Sequence, residues 1–212
     1  MKYIAHRGYS LEYQDNSFEA ISEALKRGYD GIEIDVQLCK TGEIILYHDI
    51  YIDNARVKSM TYDELKKSNI ISLKDLYEKV SGIKDTQVII DVKGCDSKLI
   101  EELELFFESH IEPNVVFCSF NRPLIKQLNE KYKKGTTFEA VYNEEEYDII
   151  TEGMSVVVIH WTCLHSQFIN YCNEKKIEVF TYTHKVQIEL DYMLKFNIDG
   201  IITNGTQTTL MV

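Results

Sequence analysis

Along nearly the whole chain, short apolar runs alternate with stretches whose apolar residues recur three and four positions apart. The first run, "YIAHRG", leads through the polar turn "YSLEYQDN" into "SFEAISEALKRG", where Phe18, Ile21 and Leu25 mark one helix face. Asn16 or Ser17 can cap the start of that helix, and Gly28 suits the left-handed residue just past its end. The strand "GIEIDVQL" follows. A turn at Thr41-Gly42 then leads into a return strand ending in His48 and Asp49.

Residues 50 to 86 are less regular, but "TYDELKK" carries the capping-box pair Thr61 and Glu64, and "SLKDLYEKVSG" repeats the idea from Ser72. Beyond them come "QVIIDVKG", the amphipathic "SKLIEELELFFESH" and "NVVFCSF". Pro123 is expected in the first turn of a helix running towards Lys134, followed by the strand "TTFEAVY". The strand "SVVVIHW", a helix over 165–175, the strand "EVFTYTH", a helix over 186–197 and the strand "DGIITN" close the chain. Setting the return strand aside, eight strands are expected, starting near 3, 31, 87, 114, 136, 155, 178 and 200. Strand and helix alternating eight times predicts an α/β fold with parallel pairing, a closed (β/α)8 TIM barrel. The competing open doubly wound sheet lacks its signature, because no G-x-G-x-x-G turn follows the first strand. No linker, repeat or low-complexity tract divides the chain, so residues 1–212 are expected to form one domain.

Bulk chemistry narrows the partners. With 34 acidic residues against 23 basic, the net charge is −11, which repels nucleic acid and anionic lipid. A small anion site inside a cleft stays possible, since one ion or a few side chains can reverse the local potential. Five scattered cysteines without a CxxC pair read as reduced thiols. The amino terminus lacks a leader pattern, and no apolar run approaches the roughly 18 residues of a membrane span. A cytoplasmic protein with no stable membrane association is expected.

In a parallel barrel both faces of each strand are covered, so strands should be almost purely aliphatic. Several here break that rule near their carboxyl ends, the rim where barrel enzymes keep their chemistry. His6 and Arg7 end the first strand, Glu33 and Asp35 share one side of the second, His48 ends the return strand, and Asp91 and Lys93 share one side of "VIIDVKG". Burying three carboxylates together is costly unless a cation or protons neutralise them. Oxygen ligands of this type suit one divalent cation, Mg2+ or Ca2+. Two histidines with an arginine and a lysine are what acid/base chemistry on a phosphate requires.

"AHRG", the triplet "DNS" at residues 15–17, "GIEIDVQLCKTGEIILYHD" and "IIDVKG" together resemble the glycerophosphodiester phosphodiesterase family. The closing strands "EVFTYTH" and "GIITN" sit where that family's last strands lie. The resemblance implies a (β/α)8 barrel of the phospholipase-C-like phosphodiesterase type. It also implies a divalent cation and hydrolysis of small-molecule glycerophosphodiesters to glycerol phosphate and an alcohol. By motif it makes His6 and His48 the acid/base pair, Glu33, Asp35 and Asp91 the metal ligands, and Arg7 and Lys93 the phosphate holders. Asp49, next to His48, is expected to orient a ring or cap the loop. This chain has Asp91 where the family has Glu, Phe180-Thr181 for Trp-Thr and Thr203-Asn204 for Thr-Asp, and the subdomain inserted after His48 is expected to be short or absent. Two alternatives belong beside it: a phospholipase D-like relative acting on lipid headgroups, and a catalytically inactive phosphate-binding barrel.

The remaining polar groups take structural readings. His160 and Trp161 are expected to pack, Glu139 to stay outside the chemistry, "NEEEYD" to be a solvated face and His165 to start a helix; His110 and His184 carry no pattern.

Overall fold

The computed structural model describes residues 1–108 and 114–205; His110 therefore lies outside the described residues. In chain order the strands are β1 (Lys2–His6), β2 (Gly31–Leu38), β3 (Ile44–Leu46), β4 (Tyr51–Ile52), β5 (Ala55–Arg56), β6 (Gln87–Val92), β7 (Val115–Ser119), β8 (Lys133–Phe138), β9 (Val156–His160), β10 (Glu178–His184) and β11 (Gly200–Thr203). The helices are α1 (Phe18–Lys26), α2 (Tyr62–Leu65), α3 (Leu73–Lys79), α4 (Ser97–Glu108), α5 (Arg122–Ile125), α6 (Tyr147–Thr151), α7 (Ser166–Lys175) and α8 (Gln187–Met193).

Eight parallel strands run in the order β1, β2, β6, β7, β8, β9, β10, β11, and β1 pairs with both β2 and β11 to close the ring. The expected (β/α)8 barrel is the observed one. The return strand β3 adds antiparallel to β2 outside the ring. Because side chains alternate along a strand, each barrel strand sends one set inward and the other towards the helices. The inward set contains Ile4, Ile89, Val116, Cys118, Val156, Val158, Phe180 and Ile202, all buried. Such burial contributes about 1.5–3 kcal/mol for each large aliphatic side chain. Two glycines make room in this crowded layer: a Cβ on Gly135 would stand 2.5 Å from Cys118 Sγ, and one on Gly200 would stand 2.4 Å from the Phe180 ring.

The same alternation aims the polar exceptions. Register pairs His6 with Glu33 and, two residues further along β2, Asp35 with Asp91, so three adjacent strands send polar side chains inward at neighbouring levels. Between β3 and β6 the chain forms the β4–β5 hairpin, α2 and α3, packed over a small cluster of Cys39, Ile45, Val57, Leu65 and Ile70. Thr61 and Glu64 do form the expected capping box, and Ser72 caps α3.

Three local expectations need correction. The helix containing Pro123 stops at Ile125 instead of running towards Lys134. Asn129 takes over the backbone there: its N–H donates to Glu104 Oε1 at 2.6 Å and its side chain accepts from the Lys131 N–H at 3.0 Å. β8 begins at Lys133 instead of 136, with Lys134 buried and its ammonium 2.7 Å from Glu130. The last helix spans Gln187–Met193, short of 186–197, because Lys195 and Phe196 bond back three residues in turns.

Candidate active site

Two backbone devices bring the first strand's cargo into place. Arg7, directly after β1, adopts a left-handed φ of 58°, and Gly8 follows at 81°. This turn lets the Arg7 N–H reach back to Glu33, 2.9 Å from its carbonyl oxygen and 3.2 Å from its carboxylate. Asn16, also left-handed at 59°, sits just ahead of α1, whose N-cap is Ser17. Its side chain grips Asp35 twice, donating from Nδ2 to Oδ2 at 2.9 Å and accepting the Asp35 N–H at 3.2 Å.

All seven residues singled out from the sequence for acid/base, phosphate and metal roles line one cavity of about 240 Å3 at the carboxyl-terminal mouth of the barrel. Ile89, Cys118, Val158 and Ile202 form its apolar floor. The carboxylates of Glu33, Asp35 and Asp91 are buried, and an oxygen from each lies within 4.8 Å of the others. Lys93 Nζ bridges two of them, 2.8 Å from Asp35 and 2.6 Å from Asp91. Arg7 Nε is 3.0 Å from Asp35 Oδ2, an ion contact in which the N–H is not aimed at the oxygen, while Nη1 donates to Asp15 at 2.9 Å.

Two cations therefore answer three carboxylates, and the charge is unevenly shared. Burial, reinforced by Asp35 and Asp91, pushes the Glu33 carboxyl well above its ordinary range. Burial also raises Asp91 despite Lys93. At Asp35 the same desolvation is outweighed by Lys93 and Arg7, which hold it below the usual value. Asp91 Oδ1 is buried without a hydrogen-bond partner. An orphaned oxygen beside two further acidic oxygens is the donor set of a hard divalent cation, so the residues present fit one.

The two histidines are wired differently. His6 Nδ1 donates to Asn204 Oδ1 at 2.6 Å; because an amide oxygen only accepts, the proton sits on Nδ1 and Nε2 is left with its lone pair. Burial, helped by Arg7, lowers the His6 pKa to about 4. His48 lies two residues past β3 on a more exposed loop, with Nδ1 2.7 Å from the Asp49 carboxylate.

Some residues that the sequence reading left out also belong here. Phe120, Thr137, Glu139 and Tyr182 line the cavity. Glu139 follows β8 directly, a position that the strand-end rule could have flagged. His160 stacks on Trp161 with centroids 6.1 Å apart and bonds to Thr162, the packed role expected of it. His165 caps α7, and most of "NEEEYD" is exposed. His184 is fully buried, with Nε2 2.9 Å from Thr181 Oγ1.

The profile of the Glycerophosphoryl diester phosphodiesterase family matches residues 6–208. The chain belongs to that family. A glycerophosphodiester phosphodiesterase from Caldanaerobacter subterraneus is 28% identical, over 98% of this chain and 95% of its own length. Among solved structures, the family member from Thermotoga maritima superposes with a TM-score of 0.81 at 24% identity, covering 96% of this chain and 94% of that one. An Oleispira antarctica phosphodiesterase in complex with the product sn-glycerol-3-phosphate gives 0.85 at 18% identity, covering 96% and 93%. These two likenesses concern the fold. Among the described residues, no helix is long and apolar enough to cross a membrane.

Proposed function

We propose that this barrel hydrolyses glycerophosphodiesters to glycerol phosphate and an alcohol, using His6 and His48 as its proton-transferring pair. One observation carries the reading: three buried carboxylates and two imidazoles converge on a single cavity at the barrel mouth. Family membership and the similarly named relatives support the same substrate class. We take residues 1–212 as one catalytic domain.

Glu33, Asp35 and Asp91 are the residues that would hold a divalent cation, Mg2+ or Ca2+. When bound, the ion supplies Lewis acidity towards a phosphoryl oxygen. Asn16 and the Arg7 backbone keep Asp35 and Glu33 aimed at one point. Arg7 and Lys93 carry the positive charge that meets the phosphate as negative charge builds on it. Proton traffic follows from the ring partners. His6, kept uncharged by burial and with its Nδ1 proton on the Asn204 amide, has a lone pair on Nε2, so it accepts the proton of the attacking oxygen. His48 stands on the more exposed loop, its ring oriented by the Asp49 carboxylate, and donates to the departing alkoxide. The phosphorus–oxygen bond to the attacker forms, the one to the alcohol breaks, and one proton moves at each end.

The test is release of glycerol phosphate from a soluble glycerophosphodiester, together with turnover of bis(p-nitrophenyl) phosphate. Both reactions should need a divalent cation and stop with a chelator. His6→Ala and His48→Ala should each lower turnover by about 10² to 10⁴ with the fold intact. Near-normal rates in either variant, or no product with any divalent cation, would refute the reading.

A further inference from the structure

The ring order sets β8, β9 and β10 across the barrel from β1, β2 and β6. The cavity thus has two unlike walls. One carries the carboxylates, Arg7, Lys93 and the histidines. The facing one carries Glu139 beyond β8, Tyr182 on β10 and, beside them, Phe120 just past β7. Phe120 and Tyr182 meet edge to face, centroids 6.1 Å apart at 89°, although Phe120 is 55% exposed. Tyr182 is fixed from behind by the His160 ring at 5.4 Å and by its hydroxyl donating to the Phe138 carbonyl at 3.4 Å. Among the described residues no lysine or arginine pairs with Glu139. Among the described residues, the one basic group within ion-pair distance of it is His160, 4.0 Å away and already bonded through that same Nδ1 to Thr162.

A carboxylate without a strong partner, set beside two aromatic rings at a pocket mouth, suits one ligand chemistry. Ring quadrupoles and the carboxylate both attract a cation, and an ammonium with carbon substituents gains apolar contact as well. A phosphate engaged at the opposite wall would direct one of its ester arms here. The net charge of −11 favours a substrate whose far end is positive over one that is wholly anionic.

We propose that the preferred substrates are glycerophosphodiesters of amino alcohols, with the ammonium group of the leaving alcohol held between Glu139, Tyr182 and Phe120. This rests on the hydrolase reading above and adds the identity of the departing group.

Kinetics on glycerophosphocholine and glycerophosphoglycerol, with wild type, Glu139→Gln and Phe120→Ala, decide it. Wild type should prefer the choline ester, and each variant should shrink the ratio of the two kcat/KM values by roughly fivefold to thirtyfold, mainly through KM. Equal losses on both esters would overturn the proposal by assigning Glu139 to the glycerol hydroxyls that they share. No wild-type preference would overturn it too. If neither ester is cleaved, the hydrolase reading falls, and calorimetric binding of the same two esters decides the cation site. Affinity for the choline ester selectively lost in Glu139→Gln supports the site, and equal affinities refute it. Thermal melting checks that both variants fold.

Discussion

His6 on the first barrel strand and Asn204 beyond the last are joined by a 2.6 Å hydrogen bond across 198 residues of sequence. That bond fixes the tautomer of the ring. Burial, helped by Arg7, outweighs that bond and keeps the ring a base. Replacing the amide by a carboxylate should reverse the preference. Asn204→Asp is expected to raise the proton affinity of His6 and move the ascending limb of the kcat/KM profile up by about one pH unit. A limb that stays in place would show that His6 is not the group titrating there.

Lys93 spans Asp35 and Asp91. Lys93→Met leaves both buried carboxylates with less compensation, a loss of roughly 3–5 kcal/mol, or about 10 °C in Tm, when a chelator is present. Millimolar Ca2+ or Mg2+ should then stabilise the variant more than it stabilises wild type. Melting curves with and without the cation measure this. Equal shifts in the two proteins would mean that the carboxylates do not share an ion.

Asn16 combines a left-handed backbone with two hydrogen bonds to Asp35. Asn16→Ala should lose both bonds and strain the backbone, destabilising by about 2–4 kcal/mol. Asn16→Gly, which keeps the backbone comfortable, should recover about 1 kcal/mol of that in denaturant titrations. Identical losses would remove the backbone part of the account.

Burial lowers the pKa of His184 to about 4, and its Nδ1 is buried without a partner. A ring kept neutral in the fold but free to protonate when unfolded near 6.5 stabilises above that range and loses the contribution as pH falls towards 4. Its share of the slope is about 1.4 kcal/mol per pH unit within that window. His184→Gln should flatten the acid side of the stability profile by that amount. An unchanged slope would mean that the ring is not kept neutral.

Much of this is legible in the sequence itself. The eight barrel strands announce themselves as aliphatic runs, and Glu33, Asp35 and Asp91 stand out because nothing in a covered strand should be charged. Their spacing of two residues on β2, and the shared side of Asp91 and Lys93, survive directly into the cavity. What stayed hidden depends on contacts between distant segments. Lys133 and Lys134 lie ahead of the strand expected from 136, yet they begin β8, with Glu178 and Glu130 receiving their ammonium groups. The helix after Pro123 has a plausible pattern, but Glu104 on α4 takes the Asn129 N–H and diverts the chain into a turn. Glu139 is a lone acid after a strand, and only barrel closure shows that it faces the opposite wall. Asn204 reads as a departure from the usual Asp until His6 is found against it.

The seam where β1 is clasped between β2 and β11 has a bearing on how the protein matures. His6 is synthesised 198 residues ahead of Asn204, the group that orients its ring. Chains that stop short of Asn204 can therefore hold the acidic half of the centre without a correctly poised base, and activity should switch on only once that residue has been made.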